Sequence, residues 1–159
     1  MSDLELNPYA SPQSEVISTE QFPGYAGFWK RVLAFVIDWL LLAGVFFLID
    51  LLTGGLLFES AEDEPWSMIS RILGIAIPWG YYVLFESSEQ QGTLGKLAMH
   101  IKVTDMEGGR VSFLRASARH FAKILSSMLL LLGYLMIPFT SRKQGLHDLI
   151  ASCLVVNRS

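Results

Sequence analysis

RVLAFVIDWLLLAGVFFLI, residues 31–49, is the longest apolar run of the chain, and a single acid, Asp38, sits inside it seven residues after Arg31. A helix of roughly 20 apolar residues spans a bilayer. A carboxylate at that depth costs about 2.5–3.5 kcal/mol on insertion scales, so it requires partners and marks a functional-site candidate. The run therefore specifies a membrane helix with a carboxylate to be satisfied inside it.

The whole chain has the same character. Of 159 residues, 52% are hydrophobic and 17% charged, with a mean hydropathy of +0.41. Soluble domains carry about 25% charged residues. The length suits one small membrane domain, and a net charge of −3 without a basic tail excludes nucleic acid as a partner. The one cysteine, Cys153, offers neither a disulfide nor a metal-binding pair and is expected as a small buried residue. Three scattered histidines make no metal site. With no nucleophile, metal or cofactor set, neither an enzyme nor a cofactor is expected.

Residues 1–23 are polar and contain prolines, so a disordered tail is expected there, with the membrane domain over 24–156 and no cleavable leader. The first helix runs from Gly27 to about Leu52 and ends at Thr53, Gly54 and Gly55. An acidic loop follows, with Glu59, Glu62, Asp63 and Glu64. The second apolar stretch extends from Trp66 to Phe85, with Pro78 freeing the Gly74 carbonyl and Glu86 closing the helix. Next come a glycine turn over 91–96 and a strand signal over 101–104, where apolar and polar residues alternate. Arg115, Arg119, His120 and Lys123 then suggest a basic helix face at the membrane surface. The third apolar stretch, Ile124 to Phe139, contains Ser126, Ser127, Gly133 and Pro138. A last strand-like piece, 152–156, is suited to pair with 101–104. The expected fold is an all-α membrane protein of three hydrophobic helical segments with short cytoplasmic strand-like segments.

Basic residues flanking membrane segments stay in the cytoplasm. Lys30 and Arg31 put the N-terminus inside, as do Lys96, Lys102, Arg110, Arg115, Arg119 and Lys123 for the long connection. A third full span would strand Arg142 and Lys143 outside. Either that span overrules the charges, or the third segment is a broken, re-entrant hairpin, which requires surrounding protein.

Seven residues advance a helix by about 10 Å and return near the same face. Arg31 and Asp38 thus share a face but lie too far apart for contact, and Arg31 reaches toward the headgroups. With a cytoplasmic tail, Asp148 becomes the natural partner of Arg31, with bidentate geometry available. At the depth of Asp38, helix two offers the Gly74 carbonyl, Trp79 and Tyr81 or Tyr82, and the third segment offers Ser126 and Ser127. That oxygen-rich set suits protons or monovalent cations, or it simply satisfies a helix-packing carboxylate. Glu86 is a solvated helix end or a member of a polar ring with Arg31. The turn Gly92 to Lys96 has the wrong spacing for a phosphate loop and fits a turn against the headgroups. His147 beside Asp148 lacks a nucleophile to serve and fits a local cap.

The ordered set resembles the RDD family of bacterial membrane proteins, named for one arginine and two aspartates. Arg31 and Asp38, after Gly27, Phe28 and Trp29, match its first helix. The glycine turn over 91–96 followed by 101–103 matches its central segment, and Gly145 to Ser152, with Asp148, its last, with Ser152 at a position where threonine is common. The resemblance, over about 24–156, implies a multi-pass protein of the bacterial inner membrane and directs attention to Arg31, Asp38 and Asp148. It suggests transport of an unknown ligand, with cation or proton exchange proposed for some members. The expected function is an ion- or proton-coupled transporter or accessory transport subunit centred on Asp38; the alternative is a non-transporting scaffold or assembly factor. Three segments are few for a pathway, so membrane lipids and either a second copy of the chain or another membrane protein are the expected partners.

Overall fold

Helix α1 covers Phe28–Thr53 and α2 covers Pro65–Glu86; the computed structural model describes residues 24–55, 65–128 and 132–158. The tail over 1–23 and the acidic residues Glu59, Glu62, Asp63 and Glu64 lie outside the described residues. Both helices are long and apolar enough to cross a membrane. A core helix of a soluble protein would hide such side chains, yet Phe47 is 71% exposed, Leu52 77% and Ile75 69%. Lipid is the solvent that such a surface fits. α1 stops where Gly54 takes up a left-handed backbone (φ 64°), from which its N–H reaches the Asp50 and Leu51 carbonyls.

The polar elements gather where α1 begins and α2 ends. A short helix α3, Leu94–Ala98, packs on α1 and leads into β1, Ile101–Asp105. β1 pairs antiparallel with β2, Cys153–Asn157, setting Ile101 opposite Asn157 and Asp105 opposite Cys153. The chain entering α1 joins this sheet: Tyr25 bridges to Val156, and the Ala26 N–H donates to the Val155 carbonyl at 2.8 Å. Ala34, Val83, Val103, Ala116 and Val155 form one apolar core between the sheet and the helices.

Helix α4, Phe113–Met128, packs on α2 and on α6, Leu146–Ile150. Its orientation corrects the expected surface-facing basic stripe at Arg119, His120 and Lys123, while Arg115 is exposed. Arg119 is 2% exposed and Lys123 half-buried, while Leu114, Phe121, Ile124 and Leu125 face outward. Arg119 and Lys123 turn instead toward the buried carboxylates Glu86 on α2 and Asp148 on α6.

The third apolar stretch is not one continuous helix among the described residues. α4 is described to Met128, and α5, Leu132–Leu135, gives way to a 3-10 turn, Ile137–Phe139. α6 then lies at the same end as the start of α1, because Asp148 on α6 meets Arg31 on α1. The last segment and the first therefore share one end of the helix pair.

Candidate functional site

Asp38 is 1% exposed and accepts three hydrogen bonds. The Tyr81 hydroxyl donates to Oδ1 at 2.7 Å, the Gly95 N–H to the same oxygen at 2.7 Å, and the Thr93 hydroxyl to Oδ2 at 2.5 Å. Thr93 also caps α3, its oxygen accepting from the Lys96 N–H at 3.4 Å. Tyr81 accepts from the Leu94 N–H at 3.1 Å, so one phenol joins α1, α2 and α3. Gly95 is required by close approach: a Cβ there would stand 2.1 Å from the Ala34 carbonyl oxygen. Asp38 thus holds α3 against the middle of α1 through neutral donors.

A second network lies toward the start of α1. Asp148, fully buried, takes Arg31 at 2.5 Å and Arg119 at 2.7 Å, and accepts the Gly145 N–H at 3.2 Å. Arg119 reaches on to Glu86 at 2.8 Å. Glu86, itself 1% exposed, also pairs with Lys96 and, at 3.3 Å, with Lys123. Arg31 donates further to the Lys143 carbonyl at 2.6 Å, tying the loop before α6 to α1. Two carboxylates therefore serve four cations.

That imbalance acts on the titrating groups. Burial lowers the Lys96 amine; Glu86 pulls it back, but Arg119 and Lys123 oppose that pull, and it comes to about 7. Burial would raise Asp148, yet Arg119 and Arg31 hold it below the ordinary carboxylate range. Burial lowers His147 to about 3 despite Asp148 beside it, so it is neutral at pH 7.

A cavity of about 500 Å³ borders the network, lined by Arg31, Asp38, Lys96, Arg119 and Lys123 on its charged side and by Val32, Phe35, Ile124 and Leu135 on its apolar side. Among the described residues no group of three or more histidine, cysteine or acidic side chains could hold a metal.

Of the candidates named from the sequence, Arg31, Asp148 and Glu86 meet in one network, and Asp38 stands in the other. Arg31 contacts Asp148 through one nitrogen, not as a two-pronged pair. Tyr82 lies under the Lys123 ammonium, 4.5 Å from its ring centre. Ser126 and Ser127 are not partners of Asp38: Ser127 donates to the Lys123 carbonyl at 2.9 Å, and Ser126 packs where a Cβ on Gly133 would stand 2.7 Å from its Oγ. Trp79 likewise makes no hydrogen bond to Asp38; its indole nitrogen is buried without a hydrogen-bond partner among the described residues.

Sequence reasoning missed Thr93, Gly95, Lys96 and Arg119 as site residues. Arg119 carried a usable signal: Ala116, Ala122 and Ser126 lie on its helix face at spacings of three and seven, small residues that mark a packed side.

A model of the RDD family matches residues 25–152. The uncharacterised protein YxaI of Bacillus subtilis strain 168 is 33% identical over 150 residues, covering 82% of this chain and 96% of that protein. The uncharacterised membrane protein YteJ of the same organism is 31% identical over 170 residues, covering 98% and 93%. No solved structure matches.

Proposed function

This chain belongs to the RDD family and is a membrane protein, and from that premise we propose that it is a proton-coupled transport module of the bacterial inner membrane, a carrier or the accessory subunit of one. The observation that carries this reading is the buried pair of Lys96 with Glu86 beside the cavity, its amine brought to about 7 by its surroundings. Such a group exchanges its proton at neutral pH from a position that faces open space. The excess of cations around it repels Na⁺ and K⁺, which favours the proton as the coupling species. Asp38, with three donors, is the anchor of α3 instead of the carrier of the ion.

The contact of Arg31 with Asp148 favours a cytoplasmic tail and a re-entrant hairpin through α4 and α5, in keeping with the basic residues near both. Two spanning helices enclose little by themselves, so the module works as a homo-oligomer or with another membrane protein.

Proteoliposomes under a pH gradient test the reading. Wild-type protein is expected to move protons, and Lys96→Met to stop the flux while keeping the fold. A wild-type protein that moves none ends the proposal. The scaffold reading has its own support in the satisfied carboxylate of Asp38. It prevails if Asp38→Asn breaks assembly and wild-type protein carries no flux.

A further inference from the structure

We infer that the cavity between α1, α4 and α5 binds an anionic phospholipid of the surrounding bilayer, its phosphate against Lys123 and its acyl chain along Val32, Phe35 and Ile124. The charge count calls for an anion. Arg31, Lys96, Arg119 and Lys123 share Glu86 and Asp148, and the third acid at the cavity, Asp38, is occupied by neutral donors. With Lys96 neutral, Arg31, Arg119 and Lys123 still share the two carboxylates Glu86 and Asp148, so this side of the cavity draws an anion.

Lys123 is the cation left short. Its ammonium is 3.3 Å from a Glu86 oxygen that Lys96 already engages, and its side chain is 21% exposed against 3% for Arg119. Its ammonium also lies over the Tyr82 ring, 4.5 Å from the centre. His120 also lines the cavity beside Lys123.

The walls identify the source of that phosphate. Phe35, Ile124 and Leu135 line the cavity and are themselves exposed, so its mouth is bordered by side chains suited to hydrocarbon. A lipid enters such a mouth sideways with its chain already dissolved, whereas a soluble anion would cross apolar surface first. Basic pockets between membrane helices hold anionic headgroups in this manner. A zwitterionic headgroup brings its own cation and leaves the surplus charge where it was.

The test is native mass spectrometry of the full chain released from vesicles of phosphatidylglycerol and phosphatidylethanolamine with matched acyl chains. Wild-type protein is expected to retain phosphatidylglycerol about tenfold above its share, and Lys123→Gln to reduce that preference about fivefold. Ile124→Trp, which fills the mouth and leaves every charge in place, is expected to abolish retention; it serves even if Lys123→Gln folds poorly. Equal retention of the two lipids, or unchanged retention in folded variants, overturns the inference. Displacement of the lipid by inorganic phosphate also overturns it, in favour of a soluble anion. No gradient is applied, so a failure here is distinct from an absence of proton flux.

Discussion

Gly95→Ala adds one methyl group at the most crowded glycine of the site. The new Cβ would lie 2.1 Å from the Ala34 carbonyl oxygen and 2.8 Å from Asp38 Oδ1, where real contacts essentially never fall below 3.0 Å. The Ala34 oxygen belongs to the backbone of α1 and cannot yield, so α3 must withdraw by about 1 Å. Overpacking of this kind costs about 1–3 kcal/mol. Withdrawal also stretches the 2.7 Å bond from the Gly95 N–H and the 2.5 Å bond from Thr93, both to a buried carboxylate. Hydrogen bonds to charged groups contribute about 1.5–3 kcal/mol each. A total of about 2.5–6 kcal/mol follows if one such bond is lost with the clash. Gly80→Ala supplies the control, since among the described residues nothing beyond the adjoining backbone of its own helix stands within 4 Å of its Cβ; that change should be neutral or stabilising by up to about 1 kcal/mol. Unfolding of both variants in the same detergent, followed by tryptophan fluorescence, measures the difference. A Gly95→Ala protein within about 0.5 kcal/mol of wild type would refute the argument that α3 is docked by this contact.

Three further outcomes are expected. Arg119→Met removes the one side chain shared by Glu86 and Asp148 and should cost about 3–5 kcal/mol in denaturant unfolding, more than Lys123→Met at the edge of the network. The neutral state of His147 favours folding fully above the unfolded value of 6.5, and that contribution is lost as pH falls toward about 3. Thermal midpoints should therefore drop through that window in wild type, with a shallower slope in His147→Phe. In a Cys153→Ser background, Lys30→Cys and Asn157→Cys should label from the same side of sealed vesicles, because the Lys30 ammonium donates to Asn157 at 2.8 Å.

The first apolar run, 31–49, was legible because lipid selects for composition over some twenty consecutive residues, and that signal survives without any knowledge of contacts. The pairing of 101–104 with 152–156 was legible, to within one residue of the observed 101–105 with 153–157, for a related reason: alternation and β-branching mark two short segments that have few other candidates to join. Arg119 and Lys96 were not. A basic residue with a spacing of four from another looks the same in sequence whether its helix faces water or turns its charges inward, and the side that α4 presents depends on α2 and α6. Ser126 and Ser127 were placed near Asp38 by depth alone, and depth does not fix azimuth.

The sequence by itself determined residence in the membrane and the extent of the first two helices, and it singled out Arg31, Asp38 and Asp148. It did so because solvent preference and chain length are local properties. Tertiary structure decided which acid meets which base. Asp38 meets Gly95 and Arg31 meets Asp148 across 57 and 117 residues, and no local pattern encodes such distances. The five-residue helix α3 brings neutral donors to Asp38, and the inward turn of α4 brings Arg119 to Glu86 and Asp148, because a buried carboxylate needs donors wherever the fold supplies them.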